Sequence, residues 1–332
     1  MTFRALAKSG KGVVVESVPG RGLALFKGTG EHTVYEAISR QRRKVLAGEK
    51  AAVKRVDGAY KVARASIEKK LAAVNAKIAA AQAAGAPISP AWLYQQERWT
   101  ELVTAIDREM GKFGAVAAQT TVAAQASSVK QGGQDAKTLV AAAGVTTGFK
   151  MLPAPAFEDV VGLLTDKSPV HELFAQLGPT AVATARTIFA EEVAAGSHPS
   201  VIAKRLRKEL GMERRRAVTT ARTESIRAYT TSQQRNYQNN SDVVVASRIT
   251  SSRDKRTCAL CWARDGTILQ HGEPFPRHPG CRCVLAPVVK YLDRPRKTGP
   301  EAFAELSSAA QRAILGPKRH ELYVAGKIAL PD

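Results

Sequence analysis

The chain has 332 residues, 44% of them hydrophobic and 24% charged, which excludes wholesale disorder and leaves room for two ordinary domains. Fifty Lys and Arg stand against 29 Asp and Glu, a formal charge of +21. That balance favours a polyanionic partner through steering and counterion release, with nucleic acid as the leading candidate and an acidic protein surface as the alternative. No run of roughly twenty apolar residues occurs and the first residues carry no signal-like apolar stretch, so a soluble, cytosol-made protein without membrane contact is expected.

Residues 1–30 read as an arm. Within it "GVVVESVPGRGLALF" (12–26) places two short apolar runs around a Pro-Gly-Arg-Gly turn, the pattern of a hairpin or of a segment ordered by a partner. From about Glu31 to Ala84 the chain lacks proline, and Val53, Val56, Tyr60, Ala63 and Ile67 recur every three or four residues. This predicts a long amphipathic helix with candidate breaks at Gly48 or Gly58. In "AGAPISPAW" Ser89 is predicted to cap a second helix with Pro90 in its first turn, and Trp92, Trp99, Leu102, Val103 and Ile106 form that helix's buried stripe. Residues 31–127 thus read as a basic helical hairpin whose first arm carries twelve cations against five acids. Arg42, Arg43, Lys44, Lys54 and Arg55 are its candidate phosphate contacts, the plain alternative being a solvated face.

Residues 128–157 mix Gly, Ala and Pro without lasting periodicity and read as a linker. "SPVHELFAQLG", "PTAVATARTIFAEEVAAG" and "SHPSVIAKRLRKELG" each open on Ser or Pro and close on Gly, predicting three short helices. A further helix starts at "MERRR", where Arg214, Arg215 and Arg216 are candidate contacts for phosphate or an acidic partner. Further along it, Arg222 and Glu224 read as parts of a structural ion-pair network. The β-branched run "VVVASRIT" then predicts a strand.

All four cysteines fall in "RTCALCWARDGTILQHGEPFPRHPGCRC" (256–283). In a reducing compartment such a cluster points to metal ligands or reactive thiols rather than disulfides. Cys258 and Cys261 have the spacing of a knuckle that turns two thiolates toward one ion, Asp265-Gly266 is read as a hairpin turn, and His278, Cys281 and Cys283 return from the other side. Five donors compete for four tetrahedral positions. Either Cys281 and Cys283 both ligate from one face of an extended strand, or His278 takes a position and one of the two packs as a small hydrophobe. His271 reads as a bystander. With four protein ligands the ion is closed to substrate, so about one structural Zn2+ per chain is expected to staple a small β-rich module over 243–290. The His-x-Glu with Pro-Cys-x-x-Cys pattern of zinc deaminases and the βαβ surroundings of a thioredoxin-like dithiol are both missing from the sequence.

Three stretches in order, "AVTTARTESIRAY", "SSRDKRTCALCWARDGTIL" and "PRHPGCRC", resemble the Mu F-like phage head morphogenesis, or minor capsid, proteins over about residues 158–290. The final "AAQRAILGPKRHELYVAGKIALPD", within a tail spanning 291–332, is similar to the ending of many such proteins. The resemblance implies a non-enzymatic virion component at the portal vertex or capsid interior, assembled in the host cytoplasm. Its implied partners are the portal protein, capsid or scaffold proteins, and packaged phage DNA bound without sequence preference. It also implies that Cys258, Cys261, His278, Cys281 and Cys283 are metal or framework positions, that Asp254 and Gly266 shape the turns, and that Arg222 and Glu224 mark the preceding helix. A zinc-containing DNA-binding regulator and a metal-dependent nuclease are the alternative readings, and the sequence leaves the oligomeric state open. The expected fold class is α+β, mainly α-helical, with a long N-terminal helical hairpin, a helical middle and a small C-terminal β-rich, zinc-stapled module.

Overall fold

The computed structural model describes residues 13–18, 22–26, 31–145, 148–290 and 297–330. In chain order, β1 (Val13–Val18) pairs antiparallel with β2 (Gly22–Phe26) as a hairpin. Then come α1 (Glu31–Ala83), α2 (Pro90–Tyr94), α3 (Glu97–Ala142), a 3-10 turn (Ala154–Phe157), α4 (Val170–Ala175), α5 (Leu177–Ala194) and α6 (Pro199–Gln238). The C-terminal part holds β3 (Val244–Thr250), α7 (Ala259–Arg264), β4 (Ile268–Leu269), β5 (Val284–Val289), α8 (Gly299–Ala304), α9 (Ser308–Leu315) and α10 (Pro317–Val324). The fold is α+β and mainly helical, with a small antiparallel sheet near the C-terminus.

Several boundaries differ from those the sequence suggests, each for a packing reason. Helix α1 runs unbroken through Gly48 and Gly58, both of which face open space. A mid-helix glycine costs only about 1 kcal/mol against alanine, less than the continuous buried seam from Val56 to Ile78 returns. Ser89 caps as expected, its Oγ accepting from the Trp92 amide at 3.1 Å, but α2 ends after five residues and the chain turns before α3. Helix α3 continues to Ala142, so the first half of the expected 128–157 linker is helix, with Val129, Ala136, Leu139 and Val140 buried. The third short helix does not stop at Gly211: α6 is one element of 40 residues, with Leu206, Leu210, Ala217 and Ala221 buried on both sides of that glycine.

The chain divides into two compact units. One comprises Glu49–Gln125 and Asp159–Ser225 and is all helical. Its core aligns Val56, Tyr60, Ile67 and Leu71 of α1 with Leu102, Ile106 and Phe113 of α3 and with residues of α4, α5 and α6. Tyr60 meets Phe113 edge-on with centroids 5.6 Å apart, and Trp99 meets Phe189 at 4.8 Å. Trp99, Leu102 and Ile106 of the expected stripe are buried, while Trp92 and Val103 pack at the edge of the core.

The other unit comprises Met1–Gly48, Ala126–Glu158 and Ile226–Asp332 and contains the three-stranded sheet, ordered β4-β3-β5. Its register pairs Thr250 with Val284 and Arg248 with both Ala286 and Ile268. Ala136 and Val140 of α3 and Tyr237 of α6 cover Val244, Ile249 and Leu285, and the same cluster takes in Cys261, Cys281 and Cys283. Ala37, Ile38 and Val45 of α1 join Leu139, Ile226, Tyr229, Val284 and Ala286 in an adjoining cluster. The segment expected as a tail is ordered over 297–330. There Phe303, Leu315 and Leu330 form a small core with Ala259 and Trp262 of α7.

Candidate metal centre

Strand β3 delivers the chain to the centre, and the loop 251–257 is held by its own side chains. Asp265, 1% exposed, accepts from the Ser251 amide at 3.2 Å, from the Ser251 hydroxyl at 3.1 Å and from Arg253 Nε. Arg253 sits at φ 49, a conformation an arginine adopts only when its surroundings impose it, and its guanidinium also donates to the Lys297 carbonyl. Asp254 Oδ1 accepts from the Arg256 amide at 2.9 Å and the Thr257 hydroxyl at 3.1 Å, closing an Asx turn. Burial works against its charge, but those donors and the Arg282 guanidinium at 3.3 Å keep its carboxyl below the ordinary value.

The turn feeds Cys258 into the N-cap of α7, and Cys261 follows one turn later on the same side. After α7, Gly266 at φ 99 donates its amide to the Ile249 carbonyl at 2.9 Å, so Asp265-Gly266 joins a helix to β4 rather than two strands as the sequence suggests. From the opposite side, His278 places Nε2 3.3 Å from Cys258 Sγ and 3.1 Å from Cys261 Sγ. Its Nδ1 lies 3.0 Å from the Pro279 carbonyl oxygen, which orients the ring with Nε2 toward the thiols. Cys281 Sγ lies 3.8 Å from Cys261 Sγ.

The five residues fall into two groups that share Cys261: Cys258, Cys261 and His278 form one, and Cys261, Cys281 and Cys283 the other, with ligand atoms in each group within 4.8 Å of one another. All four cysteines are free thiols. A tetrahedral zinc with Zn–S of about 2.3 Å and Zn–N of about 2.05 Å separates two sulfurs by about 3.8 Å and a sulfur and a nitrogen by about 3.6 Å. The Cys261–Cys281 spacing of 3.8 Å matches that polyhedron, while the sulfur–nitrogen distances of 3.3 and 3.1 Å are shorter than it requires, so His278 would move outward to admit the ion. Side chains from both groups line a cavity of about 50 Å³, enough for an ion.

The three sulfurs of the second group are electrostatically linked. The Cys281 thiol is pushed far down because Cys261 and Cys283 donate to it, while donating to Cys281 pushes Cys261 far up. For Cys283, the contact with Cys261 favours the anion, yet the contact with Cys281 and burial outweigh it and the thiol is raised. Arg42 adds positive charge near Cys283.

That role takes Arg42 off the set of expected phosphate contacts: it is 8% exposed and donates to the Thr250 carbonyl at 2.7 Å. Arg43, Lys44, Lys54, Arg55 and Arg215 are exposed, whereas Arg214 pairs with Asp57 at 2.9 Å and Arg216 with Glu213 at 3.2 Å. Arg222 Nε donates to Glu49 at 2.6 Å, while the buried Glu224 accepts from Thr165 at 2.9 Å and Gln125 at 3.3 Å, so the two serve separate contacts. His271 belongs to neither donor group and lies 2.7 Å from the Val244 carbonyl, donating to β3. Sequence reading passed over Arg253, Arg282 and Trp262. For Arg282 a signal existed, since alternation in Cys-Arg-Cys sends it away from both thiols. For the other two, the partners Lys297 and Phe303 lie about forty residues away in sequence.

Residues 184–286 match the family model described as Phage Mu protein F like protein, a stretch that contains α6, β3, β4, the first half of β5 and all five clustered Cys and His residues. No curated protein and no solved structure matches the chain. Over residues 184–286 the chain is thus similar to the Mu F-like phage proteins.

Proposed function

We propose that this chain is a minor head protein of a tailed bacteriophage, acting in head morphogenesis at the portal vertex or capsid interior. The observation that carries the reading is the coincidence of the Mu F-like segment with the five-donor centre: every donor lies inside residues 184–286. In this reading the centre holds one structural Zn2+, with Cys258, Cys261 and His278 drawn from the first group and Cys281 or Cys283 from the second. The ion would tie the loop leaving β3 to the loop entering β5, two segments about twenty residues apart in sequence. Closed coordination suits a framework role and not turnover. Portal, capsid or scaffold proteins are the proposed protein partners, and the net charge of +21 supports contact with packaged DNA through its backbone. The test is quantitative mass spectrometry of mature particles and empty procapsids. A small, reproducible copy number relative to portal subunits is expected; absence from both kinds of particle would remove the structural role.

A further inference from the structure

The acids of the middle of α1 are not distributed around the helix. Glu49, Asp57 and Glu68 all face α6, where Arg222 holds Glu49 at 2.6 Å, Arg214 holds Asp57 at 2.9 Å and Arg207 holds Glu68 at 2.7 Å. The Arg207 hydrogen bonds draw the Glu68 carboxyl below its ordinary value, as expected of a charge that is permanently engaged. Lys50, Lys54, Arg55, Lys61 and Lys69 are exposed, and among the described residues none has an ion-pair partner. At 3.6 residues per turn these five fall within an arc of about 140° centred opposite the buried seam of Val56, Tyr60, Ala63, Ile67 and Leu71.

A solvated helix face ordinarily mixes both signs, with acid and base at i,i+4. Here the one acid that reaches the arc is Glu68 at its edge, where Arg207 and Arg64 already pair with it, and Asp57 and Glu49 lie outside it. The face extends about 28 Å along the axis, long enough to follow several phosphates of a duplex.

We infer that the outward face of α1, through Lys50, Lys54, Arg55, Lys61 and Lys69, is a contact surface for the phosphate backbone of double-stranded DNA. The inference rests on the DNA-contact part of the proposed function and assigns it to a surface. It calls for neutralisation of phosphates without base readout, so affinity falls steeply with salt and depends little on sequence.

The experiment titrates the full chain with a random-sequence duplex of about 30 base pairs at several salt concentrations. It compares the parent with K50Q/K54Q/R55Q/K61Q/K69Q and with a control that removes five exposed cations elsewhere, K130Q/K137Q/K255Q/R312Q/K318Q. Both variants carry the same net charge. Each phosphate contact contributes about 0.9 to the slope of log affinity against log salt, so the α1 variant is expected to lose at least about 2 while the control keeps the parental slope. An equal loss in both variants would show diffuse attraction by net charge and overturn the assignment, as would an unchanged slope in the α1 variant. A parent that does not bind the duplex removes the DNA reading itself. Glutamine preserves helix propensity, and circular dichroism checks that it does so here. Should the fivefold variant lose helix, the pairs K50Q/K54Q and K61Q/K69Q replace it, each expected to lower the slope by about 1.8.

Discussion

Cys261 is the one side chain common to both donor groups, so its replacement separates them. Cys261→Ser is expected to abolish metal retention, whereas removing a donor that belongs to one group only, Cys258 or Cys283, weakens it less; elemental analysis of the purified variants reads the difference. A second residue carries a steric argument. A Cβ at Gly299 would stand 2.0 Å from the Trp262 carbonyl oxygen and 2.6 Å from Asp265 Cβ, both on the structure that holds α7. Gly299→Ala is therefore expected to cost about 1–3 kcal/mol and to lower the melting temperature; an unchanged melt would show that α8 does not lock onto α7. At this scale the gathering of the five side chains was legible, because soft ligands at Cys-x-x-Cys and His-Pro-Gly-Cys-Arg-Cys spacing have little other reason to cluster. Their division around Cys261 was not, since it depends on how two loops meet across a sheet edge.

Helices α1 and α6 meet in a ladder of acid–arginine pairs. Glu68→Gln removes the rung that Arg207 makes with two hydrogen bonds of 2.7 Å. Partial exposure keeps its contribution to about 0.5 kcal/mol. Its sign with pH is fixed: the folded carboxyl titrates below its ordinary value of 4.5, so the stabilisation is present above that value and disappears as pH falls through the folded one. The parent should thus exceed the variant in stability at neutral pH and converge with it in acid, as pH-dependent denaturation curves will show. Glycine was the residue that misled the reading of elements. Gly48, Gly58 and Gly211 suggested ends that long apolar seams override. Gly132 suggested a linker, but a Cβ there would stand 2.4 Å from the Tyr229 carbonyl oxygen, so it marks a close approach of α3 to α6. Sequence alone does not distinguish a glycine that breaks a helix from one that lets two helices touch.

On the scale of the molecule, the charge and the fold are unevenly shared. The sheet-bearing unit holds 29 Lys and Arg against 14 Asp and Glu, the helical unit 21 against 15, so most of the excess positive charge accompanies the cysteine–histidine cluster. The α+β class and the long helices were legible from periodicity. The ordered C-terminus was not, because α8, α9 and α10 are six to eight residues each and take their order from a core shared with α7. Trp262 contacts Phe303 at 5.7 Å, and Phe303 contacts Tyr323 at 5.5 Å. Since α7 also carries Cys261, removing an ion held as proposed should loosen this whole group. Hydrogen exchange with and without chelator is expected to show lost protection over α7 and 297–330 and unchanged protection in α5 and the core of α1.

The most direct test of the account is the metal content of the full chain purified without added metal, measured beside Cys261→Ser. The account predicts about one zinc per parent chain and none in the variant. A metal-free parent that melts as it does after zinc is supplied would contradict it.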